Sequence, residues 1–204
     1  LLVVDDAHGF GVMGESGAGT LEHFQIPVRD HVLMVGTLGK AAGCFGAFVA
    51  GDRYFIEALI QFGRTYIYTT AAPPAVAAMT LAALNVFRKE PERRARLYSN
   101  VGTFRSLATE AGIELGDSQT AIQPFIPSQC TRTTEAANKT NLVIKFSQRL
   151  HQAGFWVTAI RPPTVPAGTD RLRITITSEH REEDIRHLVN AIVRCDQELA
   201  ESLP

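Results

Sequence analysis

Residues 34 to 51, MVGTLGKAAGCFGAFVAG, set one lysine inside a run of small residues between two apolar stretches. The stretch HVLMVG (31–36) reads as a buried parallel strand, LLVVD (1–5) as another, and FGAFVA (45–50) as a third. Between 31–36 and 45–50 the chain turns at glycine and alanine, which leave room around the Lys40 ammonium. A lysine in tight, partly dry surroundings can lose its proton, and the neutral amine then attacks a carbonyl. A group of that kind just past a strand belongs to the edge of an α/β sheet, where ligands bind.

Upstream, DDAHGFGVMGESGAG (5–19) offers competing readings of its glycines. GFGVMG matches the dinucleotide fingerprint G-x-G-x-x-G at Gly9, Gly11 and Gly14 and follows a strand. The remaining context is wrong: ESGAG follows where a helix should open, and no second strand ends in an acid at the expected distance. A P-loop around GTLGKA fails as well, because Met34 stands at its first glycine and Ala41 replaces the magnesium-binding hydroxyl. A third reading takes Asp5, His8, Thr37 and Lys40 together at the ends of two strands. Pyridoxal phosphate needs an amine for its aldehyde and an acid beside its ring nitrogen, since the protonated ring is the stronger electron sink. Lys40 and Asp5 are the candidates, with His8 for the ring hydroxyl and Thr37 for the phosphate. Taken singly, each has a plain structural explanation: a solvated loop lysine, a capping Asp, a locally satisfied His. The joint pattern favours the pocket.

The 204 residues, 45% hydrophobic and 20% charged, suffice for one large domain or two small ones. A net charge of -1 gives no field to attract nucleic acid, and no apolar run approaches the length of a membrane span. Cys44, Cys130 and Cys195 are odd in number and widely spaced, which argues against a disulfide framework or a metal site and for a reducing, cytoplasmic setting. With Trp156 they are expected to serve packing. Helices are expected over 52–62, 73–89, 91–111, 134–152 and 181–201, and further strands over 121–126, 155–160 and 171–177. A boundary near residue 90 separates 1–90, a sheet-bearing lobe, from 91–204, a smaller α/β lobe. The chain opens on Leu1 in the middle of a strand pattern, so it is expected to be the C-terminal part of a longer one.

DDAHGFGVMGESGAG and TLGKAAGCFGAFVAG resemble the cofactor segments of the α-oxoamine synthases, pyridoxal phosphate enzymes of the type I aminotransferase fold. The resemblance extends over essentially the whole chain. It implies an α/β fold consisting of the end of a large, mostly parallel sheet domain and a smaller C-terminal α/β domain. By resemblance Lys40 holds the cofactor aldehyde and serves catalysis, Asp5 pairs with the ring nitrogen, His8 with the ring oxygen, and Thr37 with the phosphate. Thr69 and Thr70 of IYTTAAPP match residues that reach the phosphate of a neighbouring subunit, which implies a homodimer. Arg173 matches an arginine that grips the amino acid's carboxylate, and Thr164 and Arg161 match positions near the same pocket. The segment WVTAIRPPTVPAGTDRLRITITSEH (156–180) resembles most the family members that join L-alanine to a pimeloyl thioester, carried on CoA or on a carrier protein. Other members, such as those using glycine and an acetyl thioester, remain open. So does a module of this fold that binds the cofactor without turnover. The family's ring-stacking histidine belongs to its N-terminal half, so this chain alone is not expected to be a complete enzyme.

Overall fold

The structure, a computed structural model, describes residues 1–127 and 135–201. Cys130 and residue 134, where the fourth expected helix was to begin, lie outside them. The chain divides into two compact units, Leu1–Arg94 and Ala95–Pro204.

The first unit contains β1 (Leu2–Asp5), α1 (Thr20–His23), β2 (Val32–Thr37), β3 (Ala47–Ala50), α2 (Arg53–Phe62), α3 (Arg64–Ile67) and α4 (Pro74–Lys89). β1 and β2 pair in parallel, from Leu2 opposite Val32 to Asp5 opposite Val35. β3 pairs with β2 antiparallel, from Met34 opposite Ala50 to Thr37 opposite Ala47. The third strand is thus turned back rather than continuing a parallel sheet. Residues 38–46 form a short link, and a parallel return needs a crossover of a dozen residues or more. Burial also departs from the reading of apolar runs as buried strands: Val32, Leu33 and Gly36 of β2 are buried, whereas β1 and β3 are mostly exposed in this chain. α2 starts where the Asp52 side chain accepts from Tyr54 N at 2.8 Å, and α4 starts at Pro73–Pro74, whose fixed backbone suits a first turn. None of α2, α3 and α4 has a buried residue, and Leu59, Ile60, Phe62 and Leu81 stand exposed on them.

α5 (Glu92–Glu110) leads into the second unit, followed by β4 (Ile122–Phe125), α6 (Ala136–Gln152), β5 (Thr158–Ile160), β6 (Arg171–Thr175) and α7 (Glu182–Glu201). The sheet order is β4-β6-β5, antiparallel throughout. Pro124 is accommodated because β4 is an edge strand, where a missing N–H breaks no ladder. Alternation on β6 buries Leu172 and Ile174 and exposes Arg173 and Thr175. Val101 and Phe104 of α5, Val143, Phe146 and Leu150 of α6, and Ile185, Val189 and Ile192 of α7 are buried as well. β5 is shorter than the expected strand 155–160. Gly154 takes a φ of 92°, and Phe155 N donates to Leu150 O at 2.8 Å, so the end of α6 consumes the first residues of that stretch. Trp156, expected to pack, is 85% exposed, because Val157 takes the inward position beside it. Cys195 is buried on α7, and burial pushes its thiol up.

Candidate cofactor site

Asp5 and Val35 stand opposite one another in the parallel pair, so β1 and β2 end at the same sheet edge, with β2 running on to Thr37. Asp5 closes β1, and its Oδ1 accepts from Ala7 N at 3.1 Å, which starts the turn carrying His8. Thr37 closes β2; its hydroxyl donates to Gly46 O at 3.3 Å and accepts from Gly39 N at 3.2 Å. Lys40 follows on a link tied across its base by Leu38 N to Gly46 O at 2.9 Å and Cys44 N to Leu38 O at 2.7 Å. Gly43 N donates to Lys40 O at 2.9 Å. Lys40 Nζ lies 3.2 Å from His8 Nε2, and both side chains are exposed. A Cβ placed on Gly43 would meet nothing within 4 Å, and one on Gly39 only ordinary contacts at 3.7 Å. The small residues around the amine therefore leave open space, as the sequence suggested.

Of the sequence candidates, His8 and Lys40 are in direct contact, and Asp5 and Thr37 share their sheet edge. Thr69 and Thr70 lie on the link between α3 and α4; Thr69 Oγ1 donates to Thr65 O, and among the described residues neither bonds to those four. Arg161, Thr164 and Arg173 belong to the second unit. Thr164 N donates to Arg161 O at 3.0 Å in the turn after β5, and Arg173, on β6, stands opposite Thr158 and Pro124. All three are exposed.

Three further residues, not singled out in the sequence, shape the glycine-rich loop 9–19. Asp6 is 2% exposed; its Oδ2 accepts from Thr20 N at 2.9 Å, and its Oδ1 accepts from the Thr20 hydroxyl. Glu22 accepts from Ser16 N at 3.0 Å and Ala18 N at 2.9 Å. The Ser16 amide leads the influences that hold the Glu22 carboxyl below the usual carboxylate range, with the Ala18 amide and the Arg94 charge adding to it against the effect of burial. Arg94 donates to Phe87 O at 2.8 Å and Glu15 O at 3.0 Å. The loop is a series of turns with Gly11, Gly14, Gly17 and Gly19 at positive φ, and the next helix begins only at Thr20. The second acid of DDAHG was the available signal for Asp6; Glu22 and Arg94 act through backbone groups, which no side-chain pattern reveals.

An amine beside an imidazole, a carboxylate at a strand end and a hydroxyl at its neighbour's end form the donor set that a pyridoxal phosphate pocket requires. Among the described residues no group of three or more His, Cys, Asp and Glu side chains could hold a metal ion, and no helix is long and apolar enough to cross a membrane.

Residues 1–192 match the model of the family described as aminotransferase class I and II. An 8-amino-7-oxononanoate synthase of Methylococcus capsulatus is 51% identical over 191 residues, 94% of this chain and 47% of its own length. One from Pseudomonas syringae pv. tomato is 48% identical over 194 residues, 95% of this chain and 46% of its own length. The chain therefore spans about half the length of the curated relatives it matches. The crystal structure of 8-amino-7-oxononanoate synthase from Francisella tularensis superposes with a TM-score of 0.81 at 30% identity, covering 99% of this chain and 56% of that one. Serine palmitoyltransferase from S. paucimobilis, solved with a bound PLP–myriocin aldimine, gives 0.83 at 26% identity over 98% of this chain and 48% of that one.

Proposed function

The chain belongs to the aminotransferase class I and II family and has its type I fold, and from that premise we propose that its protein is a pyridoxal phosphate-dependent 8-amino-7-oxononanoate synthase of biotin biosynthesis. The reaction joins L-alanine to a pimeloyl thioester, carried on CoA or a carrier protein, and releases carbon dioxide and the thiol. The relatives at 48–51% identity support the choice of reaction, and the 3.2 Å approach of Lys40 to His8 is the observation that carries the chemistry.

Lys40 binds the cofactor through its amine and, once free, takes the proton from the amino acid's Cα. When bound, pyridoxal phosphate supplies the electron sink for the charge left on that carbon. Asp5 holds a proton on the ring nitrogen, His8 donates to the ring oxygen while keeping the Lys40 amine oriented, and Thr37 meets the phosphate. Arg173 grips the substrate carboxylate as a fork, with Arg161 and Thr164 lining the same pocket. The functional unit is a homodimer in which Thr69 and Thr70 serve the partner's phosphate. The apolar side chains exposed on α2, α3 and α4 support an assembly that covers them. The free thiols of Cys44 and Cys195 support a cytoplasmic location.

The test is competition in the full-length enzyme, with pimeloyl, acetyl, succinyl and palmitoyl thioesters at equal concentration and alanine, glycine or serine as the acceptor. The highest kcat/KM is expected for pimeloyl thioester with L-alanine. Some glycine turnover is compatible, since one methyl group discriminates by only about 1–3 kcal/mol. A preference for acetyl-CoA with glycine, or palmitoyl-CoA with serine, would move the protein to another α-oxoamine synthase.

A further inference from the structure

We infer that Asp6, the buried acid next to Asp5, is the positioning residue that sets His8 against Lys40; the inference rests on the function proposed above. Every polar group of Asp6 is attached to a different part of the site's frame. Its N–H donates to Val35 O at 2.8 Å, extending the parallel ladder by one residue beyond Asp5. Its carbonyl accepts from Gly9 N and Phe10 N, both at 3.0 Å, and so closes the turn in which Ala7 and His8 are the only intervening residues. Its carboxylate takes both donors of Thr20, at the far end of the glycine-rich loop.

The glycines at the two ends of that loop are cut to this carboxylate. A Cβ on Gly9 would lie 2.0 Å from Asp6 Oδ1, and one on Gly19 1.8 Å from Oδ2. Neither position tolerates a side chain while the carboxylate is in place, so the loop ends are drawn onto Asp6 and His8 rides on the near one. A carboxylate offers acceptors only, which suits a site where Thr20 presents two donors. Asn at the same position would turn its amide hydrogens toward a donor, leaving a buried polar group unpaired. The turn would then relax at its base, and the 3.2 Å approach of His8 Nε2 to Lys40 Nζ would change with it. Asp6 acts through the backbone between residues 6 and 9.

The experiment uses the full-length protein with Asp6→Asn, Thr20→Val, which removes only the hydroxyl donor, and Thr20→Ser, which keeps it. Two readouts are taken: the rate at which acetic anhydride modifies Lys40 in the apoprotein, mapped by peptide mass, and the pH titration of the visible band after loading with pyridoxal phosphate. Asp6→Asn and Thr20→Val are expected to change the Lys40 acetylation rate at least about threefold and to move the band's titration midpoint by about half a pH unit. They should lower kcat about tenfold or more with little change in the KM for the amino acid, and Thr20→Ser should restore all three. If the variants lose thermal stability while Lys40 reactivity and the band titration stay at wild-type values, Asp6 only braces the loop and the inference fails. If Asp6→Asn does not fold, the Thr20→Val and Thr20→Ser pair decides by the same readouts. A wild-type protein that forms no visible band with pyridoxal phosphate would instead remove the proposed function, and the apoprotein acetylation rates would still judge Asp6.

Discussion

The second unit fully buries the large apolar side chains Phe104, Phe146, Leu150, Leu172 and Ile192, whereas the first unit, among the described residues, buries only Leu21, Val32, Leu33 and Ala42 as apolar side chains. In the second unit helices pack on a sheet, and the alternation of β6 places each inward residue. In the first, a glycine-rich loop is held by the carboxylates of Asp6 and Glu22 and by the Arg94 guanidinium. The difference teaches that a core and a site obey different economies of sequence. A core needs volume and period, and tolerates exchange among apolar residues. A loop site needs particular atoms at particular places, and its glycines cannot be exchanged.

Five substitutions would break or sharpen this contrast. The largest effect is expected on activity in the first unit: Lys40→Ala in the full-length enzyme should lower kcat by at least about 10⁴-fold, while weak cofactor binding survives. Borohydride reduction of the wild-type holoprotein should fix the cofactor to the Lys40 peptide, and label on another peptide would overturn that assignment. On stability the larger effect moves to the second unit. Phe146→Ala, at a fully buried position, should cost about 3–5 kcal/mol in denaturant unfolding. Phe62→Ala in this chain, at a position 81% exposed, should stay within about 0.5 kcal/mol. Equal losses for the two phenylalanines would erase the contrast.

Gly11→Ala comes next. Gly11 has a φ of 81°, and an added Cβ would sit 2.6 Å from the Phe87 ring and 2.8 Å from Ala41 Cβ. A loss of about 1–3 kcal/mol is expected, combining a left-handed backbone with overpacking. A neutral result would mean that the loop can move away from α4. The smaller loop effect is Glu22→Gln, at no more than about 1 kcal/mol near neutral pH, because the carboxylate is only partly buried. Its pKa is lowered in the fold, so the charged form contributes stability above the unfolded value of about 4.3, and that contribution disappears as pH falls through the folded value. The gap between wild type and Glu22→Gln should therefore close in acid; a gap that widens there would contradict the two amide bonds.

The strands that end at Asp5 and Thr37 were legible as apolar runs that stop before glycine-rich loops, and parallel pairing then brings both ends to one sheet edge. The approach of His8 to Lys40 was legible as a shared pocket but not as a contact, since it depends on how each loop folds back. The direction of β3 was written in the short link before it, a signal of length rather than of residue type. Asp6 escaped notice because nothing local shows that Gly19 and Thr20 return to it; an acid beside an acid looks like a solvated pair. Trp156 misled through its size, which says nothing about which of two neighbours faces inward. Arg161 and Thr164 carry no physical signal of their own and were marked by resemblance alone, whereas Thr69 and Thr70 also stand out as a polar pair amid apolar residues just before a helix.

The bonds that hold the glycine-rich loop differ widely in how far along the chain they reach. Glu22 meets Ser16 across 6 residues and Asp6 meets Thr20 across 14, whereas Arg94 reaches Glu15 across 79. Short segments close in about 10–100 ns, and extending the closure from 14 residues to 79 costs about 1.5 kcal/mol more in chain entropy. Assembly then has a built-in order. The segment from residue 6 to residue 22 can take its shape as soon as it has been synthesised, before β2 exists to pair with β1, and Arg94 latches it last. In refolding, the Ser16 and Ala18 amides should gain protection from exchange ahead of Leu2 N, which donates to His31 O across the two strands, and the lysine would arrive at a loop already shaped to receive it.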